Sequence, residues 1–182
     1  MKYEFVPGDE IVIGPGRTLK RIRALVAIAA LGVVHGDTGG YVESEKNLSQ
    51  VYGDAWVSGD AKVYGNAQVS GDAWVSGDAK VYGNAQVYGN AQVSGNAQVS
   101  GNARVESQTD WLLVGPAKSS GRFTTAYRDT KIGVRVSCGC FTGTAQEFSA
   151  QIEATHAGNQ QHLQQYRLFC QLIAFNFDTQ PA

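Results

Sequence analysis

From Val51 the sequence reads VYGDAW (51–56), VSGDAK (57–62), VYGNAQ (63–68), VSGDAW (69–74), VSGDAK (75–80), VYGNAQ (81–86), VYGNAQ (87–92), VSGNAQ (93–98) and VSGNAR (99–104), then Val105. Nine hexapeptides follow one another without a gap, with Val first, Gly third, Asn or Asp fourth and Ala fifth. A period of six matches neither the helical 3.6 nor a heptad, and it suits short strands joined by tight corners. Val and Ala recur in every hexad, so they form the interior pair. Gly with Asn or Asp makes the corner, because these residues tolerate positive φ.

A longer period lies beneath the first. Trp56 and Trp74 are eighteen residues apart, as are Lys62 and Lys80, Tyr64 and Tyr82, and Gln68 and Gln86. Three hexads therefore make one coil, and equivalent residues stack. The expected inward set is Val51, Val57, Val63, Val69, Val75, Val81, Val87, Val93, Val99 and Val105. Alternation along a strand then turns the sixth and second positions outward. One face carries Trp56 and Trp74 with Gln92, a second Lys62 and Lys80 with Tyr64 and Tyr82, a third Gln68, Gln86 and Arg104. Two stacked outward tryptophans form an apolar patch, which makes Trp56 and Trp74 the candidate oligomer interface. Nine hexads give a prism only about 14 Å tall at ~4.8 Å per coil, so its ends need caps.

These repeats resemble the left-handed parallel β-helix of hexapeptide-repeat proteins, and the left hand is implied by that resemblance alone. The expected fold is mainly β. An N-terminal cap with an irregular first coil occupies 1–50, the β-helix 51–106, and a small α+β domain 107–182. Val42 and Leu48, six apart, start the irregular coil, with a phase slip before Val51.

In the last segment Phe123, Thr125 and Tyr127 alternate with Thr124, Ala126 and Arg128, and Ile132, Val134 and Val136 alternate again, so a hairpin is expected. Thr144-Ala145-Gln146-Glu147 reads as a capping box opening a helix that Gly158 stops. A second helix shows Leu163, Tyr166, Phe169, Cys170 and Ile173 on one face. The order is β-β-α-α.

Composition narrows the function classes. Fifteen basic against sixteen acidic residues leave a net charge of -1, whereas a nucleic-acid binder needs a basic excess for its phosphate contacts. The 107–182 segment holds six basic and five acidic residues, so no strong positive field arises there either. The apolar run Ala24–Val34 is eleven residues long, too short for a bilayer that needs about 20. Basic residues precede it, but no small-residue cleavage site follows, so it reads as folded structure rather than a leader. Three cysteines, Cys138, Cys140 and Cys170, without framework spacing fit a reducing cytoplasm better than a secreted disulfide scaffold.

Several segments together, LKRIRAL (19–25), GGYVESEKNLS (39–49), GDAWVSGDA (53–61), GCFTGTAQEF (139–148), THAGN (155–159) and QYR (165–167), resemble a family of phage and prophage hexapeptide-repeat proteins. That resemblance implies a homotrimer inside the host cell. Members are described as transferases or hypothetical phage proteins, so it carries a fold and a setting more than an activity.

The fold suggests an acyltransferase first, which needs a histidine base on the coils. The hexads hold none; His35, His156 and His162 all lie outside them. Three coil histidines for a carbonic-anhydrase zinc are absent too, as is the Thr-rich face of an ice-binding solenoid. Cys138-Gly139-Cys140 is too tight for the usual metal pairing, and no motif asks for a cofactor. Cys140 with His156 has the residue types of a nucleophile–base pair, if the fold brings them together. Arg122, Arg128 and Arg135 lie around the hairpin beside Tyr127, a set able to hold phosphate or carboxylate. The favoured reading is a non-catalytic trimeric binding or scaffold protein acting on a host protein or small molecule. The alternatives are a protein sequestering a nucleotide-like immune signal, and an acyltransferase whose base lies outside the coils.

Overall fold

A computed structural model describes residues 1–179, so the last three residues of the expected 107–182 domain lie outside it. The chain divides into two compact units, residues 1–108 and 109–182.

The first unit is a parallel β-solenoid. Its coil strands are two residues long: β4 (Trp56–Val57), β5 (Lys62–Val63), β6 (Gln68–Val69), β7 (Trp74–Val75), β8 (Lys80–Val81), β9 (Gln86–Val87), β10 (Gln92–Val93), β11 (Gln98–Val99) and β12 (Arg104–Val105). β4 to β9 each pair in parallel with the strand eighteen residues on, Trp56 beside Trp74 and Lys62 beside Lys80. Every repeat Val from Val57 to Val105, and every Ala from Ala55 to Ala103, is buried. The corner glycines need their residue type twice over. Gly77 has φ +67°, and a Cβ there would lie 3.0 Å from the nitrogen of Gly95 in the next coil. Outside the core, Tyr64 stacks on Tyr82 at 5.1 Å, and Asn66 donates to Asn84 at 3.2 Å.

The solenoid has about four turns rather than three, because the irregular first coil is real. In β3 (Thr38–Val42), Val42 pairs with Val63, and Leu48 bridges to Val69. Both offsets are 21 residues instead of 18, so three extra residues sit between Leu48 and Val57. They are extruded at Val51. Val51 was expected inward, but it is 94% exposed, and Tyr52 beside it is also exposed. Leu48 already fills the core position, and the coil regains register only at Trp56, whose N–H donates to Ala73 O as that of Lys62 does to Ala79 O; Ala55 N–H still donates one residue out of step, to Gly71 O.

The cap is a hairpin of β1 (Tyr3–Val12) and β2 (Thr18–Ala24), with β2 antiparallel to β3, so it extends one solenoid sheet. Pairing the first edge in this way removes a template for aggregation. Buried Tyr3 donates its hydroxyl to Leu48 O at 3.1 Å, and Gln50 exchanges hydrogen bonds with the Lys2–Tyr3 backbone. Arg21 lies over the Tyr41 ring at 4.0 Å and donates to Gly39 O, Gly59 O and the Tyr41 hydroxyl. The apolar run after β2 is a mostly exposed loop with Ile28 as its buried anchor. Among the described residues no helix is long and apolar enough to cross a membrane.

The second unit has a four-stranded antiparallel sheet, β13 (Trp111–Val114), β14 (Thr124–Asp129), β15 (Gly133–Cys138) and β16 (Phe141–Thr144), followed by α1 (Ala145–His156) and α2 (Gln160–Asn176). The expected hairpin is its centre, β14–β15, and the order is β-β-β-β-α-α. Trp111–Val114 pairs with β14, and the GCF segment (139–141) turns out of β15 and runs on into β16. Thr144 and Glu147 form the expected capping box: Glu147 N–H donates to Thr144 Oγ1 at 3.1 Å, and Thr144 N–H donates to the Glu147 carboxylate at 2.7 Å. Those bonds, from the Thr144 backbone first, hold the Glu147 carboxyl below its ordinary pKa. Ala126, Val136, Phe148, Ile152, Tyr166, Phe169 and Ile173 make the core between sheet and helices.

Candidate functional site

The solenoid surface offers ladders of like side chains, and Trp56 does not belong to it. Trp56 is 1% exposed, because the amino-terminal strands close over it. Its ring lies 2.8 Å from where a Cβ on Gly39 would stand, and Ile22 Cγ1 lies 2.5 Å from the same point. A tryptophan covered by its own chain cannot meet a partner, so the tryptophan patch is corrected to Trp74 alone. Trp74 is half-buried, and its indole N–H donates to Ser58 Oγ at 2.8 Å.

The arginine group is dispersed by the register of its own hairpin. Arg128 pairs with Val134, and Arg135 pairs with Tyr127. Arg128 and Arg135 therefore stand on opposite faces of the sheet. Arg128 lies over the Phe177 ring at 5.6 Å and bonds Asp110 at 3.1 Å. Arg135 donates to buried Asp129 at 2.7 Å, while the other oxygen of Asp129 accepts the N–H groups of Lys131 and Ile132. Arg135 thus braces the turn. Tyr127 is fully buried.

Arg122 is different. It lies just before β14, exposed, and reaches over the Cys138-Gly139-Cys140 turn. A Cβ on Gly139, whose φ is +61°, would come within 2.8 Å of the guanidinium, so a larger residue there would push the Arg122 side chain aside. Here the chain forms a cavity of ≈380 Å³. Phe141, Phe148, Ile152 and Tyr166 supply its apolar wall, and Arg122, Cys138, Cys140, Gln151, Thr155 and His156 complete it. Its size lies in the range of small-molecule sites, which combine an apolar body with a few polar groups.

The aromatic wall is fixed by mutual packing. Phe148 lies 5.3 Å from Phe141 and 6.2 Å from Tyr166. His156, at the end of α1, stacks on Tyr166 at 5.0 Å and 14°. The Tyr166 hydroxyl is held near the Ser119 and Ser120 hydroxyls. Across the ladder from Cys138 stands Thr124, whose buried hydroxyl has no hydrogen-bond partner. Thr124 is itself fully buried and does not line the cavity.

Eight arginines occur in the chain. Arg17, Arg21, Arg23, Arg128, Arg135 and Arg167 are ion-paired, and Arg104 donates to the Tyr88 hydroxyl. Among the described residues only the Arg122 guanidinium lacks an oxygen partner. Spacing alone did not single it out; strand parity parts Arg128 from Arg135, and Arg122 lies before the strand altogether. The cavity was legible only as pieces, since Tyr166 reads as part of one helix's apolar face and Phe148 and Ile152 lie on the other helix, opened by the capping box.

Cys140 and His156 do line one cavity, but no hydrogen bond joins them, as a nucleophile and its base require. Among the described residues no group of three or more His, Cys, Asp or Glu side chains could hold a metal ion. All three cysteines are free thiols. Cys140 is exposed, whereas burial pushes the Cys170 thiol up to about 11, with the Glu153 charge adding to the shift. At pH 8 a maleimide should therefore modify Cys140 well ahead of Cys170. Mass mapping of partly labelled protein checks this, and labelling of Cys170 ahead of Cys140 would contradict it.

The family described as the YdcK Beta solenoid repeat matches residues 61–77, 79–95, 85–98 and 97–107. No curated protein matches the chain. The matched residues are the coils and not the cavity, so the similarity is one of fold: the protein carries a repeat β-solenoid similar to that of the YdcK repeats.

Proposed function

We propose that the protein is a non-catalytic binding protein, a homotrimer built on the solenoid, whose carboxy-terminal domain holds a small anionic molecule in the cavity at Arg122. The observation that carries this reading is the free guanidinium beside an aromatic wall. A planar fork of donors matches carboxylate or phosphate, and aromatic rings take a flat apolar body. A nucleotide-like molecule has both parts, so capture of a nucleotide-like signal in a phage-infected cell fits the same chemistry. The phage setting rests on the sequence resemblance, and three free thiols accord with a cytoplasmic one. The regular coils, whose hexads hold no histidine, serve in this reading as the support.

The aromatic sulfonate 8-anilinonaphthalene-1-sulfonate is a suitable probe, having a flat apolar body and one anionic group. It should bind the cavity, and Arg122→Ala should weaken that binding roughly tenfold, the scale of one charged hydrogen bond. Arg128→Ala should leave it unchanged, because Arg128 is already paired with Asp110. Fluorescence titration of the three proteins is the check. Equal affinity for wild type and Arg122→Ala would remove Arg122 from the site.

A further inference from the structure

Two of the three thiols share one short turn and one cavity. Cys138 ends β15 and pairs with Phe141 of β16, so only Gly139 and Cys140 make the connection. Gly139 bends the chain between them with φ +61°. Two chain steps of ~3.8 Å bent in this way bring the two Cα atoms into the span of roughly 4.4–6.8 Å that a disulfide bridges. Both residues line the ≈380 Å³ cavity, and Cys170 does not. Cys140 is exposed there, whereas Cys138 is 9% exposed. The Arg122 side chain crosses the glycine between them: its Cδ and one terminal nitrogen each lie 2.8 Å from where a Cβ on Gly139 would stand. An accessible thiol, a sheltered thiol and a cation thus meet at one turn beside the aromatic wall.

We propose that this turn is a thiol–disulfide exchange site for a small anionic disulfide, with Cys140 the attacking thiol and Cys138 the resolving one. Accessibility sets that order. The Cys140 thiolate attacks one sulfur of R–S–S–R, the S–S bond breaks, and one R–S⁻ leaves and takes up the proton that Cys140 gave. The Cys138 thiolate then attacks the Cys140 sulfur of the mixed disulfide. A Cys138–Cys140 bond forms, and the second R–S⁻ leaves with the proton of Cys138. Two protein thiols are oxidised and one small disulfide is reduced to two thiols, with no other reactant. The choice of an anionic disulfide rests on the anion site proposed above: the Arg122 fork suits a carboxylate on R. A carboxylate held there keeps the sulfur of R close to the turn. A hydroperoxide, the other common oxidant of thiols, has neither an anionic group for Arg122 nor a body for the aromatic wall.

The test is acid-quenched peptide mass mapping after timed exposure to glutathione disulfide, which is anionic, or bis-hydroxyethyl disulfide, which is neutral. Wild type, Cys138→Ser, Cys140→Ser and Arg122→Ala are compared. Wild type should carry glutathione on Cys140 first, then lose it as the peptide holding both cysteines loses two hydrogens. Cys138→Ser should stop at the mixed disulfide, and Cys140→Ser should react far more slowly. Arg122→Ala should react roughly tenfold more slowly with glutathione disulfide, the scale of one charged hydrogen bond, and at the wild-type rate with the neutral disulfide. Wild type decides the matter even where a cysteine variant fails to fold. No Cys138–Cys140 bond in wild type, or first modification at Cys170, would overturn the exchange site, whether or not Arg122→Ala still weakens binding of the sulfonate probe. Formation of the internal bond at equal rates in wild type and Arg122→Ala would instead overturn the choice of an anionic disulfide.

Discussion

Val75→Asp should abolish the folded solenoid. Val75 is fully buried, flanked in its ladder by Val57 on one side and Val93 on the other. An Asp there places a carboxylate among valine and alanine side chains, with the neighbouring N–H groups already engaged: Trp74 donates to Ala91 O and Ser76 to Val93 O, both at 2.9 Å. The buried, unpartnered charge should cost on the order of 5 kcal/mol or more, comparable with the whole stability of an ordinary domain. Circular dichroism and thermal melting read the result. A soluble variant with an unchanged melting temperature would contradict the inward assignment. The same change at Val51 should be nearly silent, since that side chain already stands in water.

Trp56→Ala and Trp74→Ala should differ sharply although they occupy equivalent repeat positions. Trp56 is enclosed by Ile22, Gly39 and its own coil, and removing its ring leaves a cavity between cap and solenoid. The expected loss is about 3–5 kcal/mol, or a fall in melting temperature on the order of 10 °C for a chain of this size. Trp74 is only half-buried, so its replacement should cost much less, mainly the hydrogen bond to Ser58 and part of its contact area. Melting curves of the two variants check the contrast. Equal shifts would mean that the cap does not enclose Trp56.

These cases show which parts of the fold could be read from the chain. The coils were legible because one period sets both the corner glycines and the inward valines, and every copy repeats the evidence. The first coil was partly legible: Val42 and Leu48 keep the six-residue spacing, but the slip consumed Val51 because Leu48 had already filled its place. The burial of Trp56 was not legible, since it depends on Ile22 and Gly39, distant in sequence, folding over one face. At the carboxy-terminal domain the opposite placement of Arg128 and Arg135 was implicit in the hairpin, where 128 faces 134 and 127 faces 135. The cavity itself draws on the approach to β14, the β15–β16 turn and both helices, and no local pattern announces such a meeting.

In the proposed reading Arg122 and the aromatic wall beside it hold an anionic small molecule. Native mass spectrometry of wild type and Arg122→Ala, purified side by side from the same cells, tests it most directly. Wild type should carry an added small mass that denaturation releases as an anionic compound, and Arg122→Ala should have lost most of it. No added mass on wild type, or the same mass at the same occupancy on both proteins, would contradict the account.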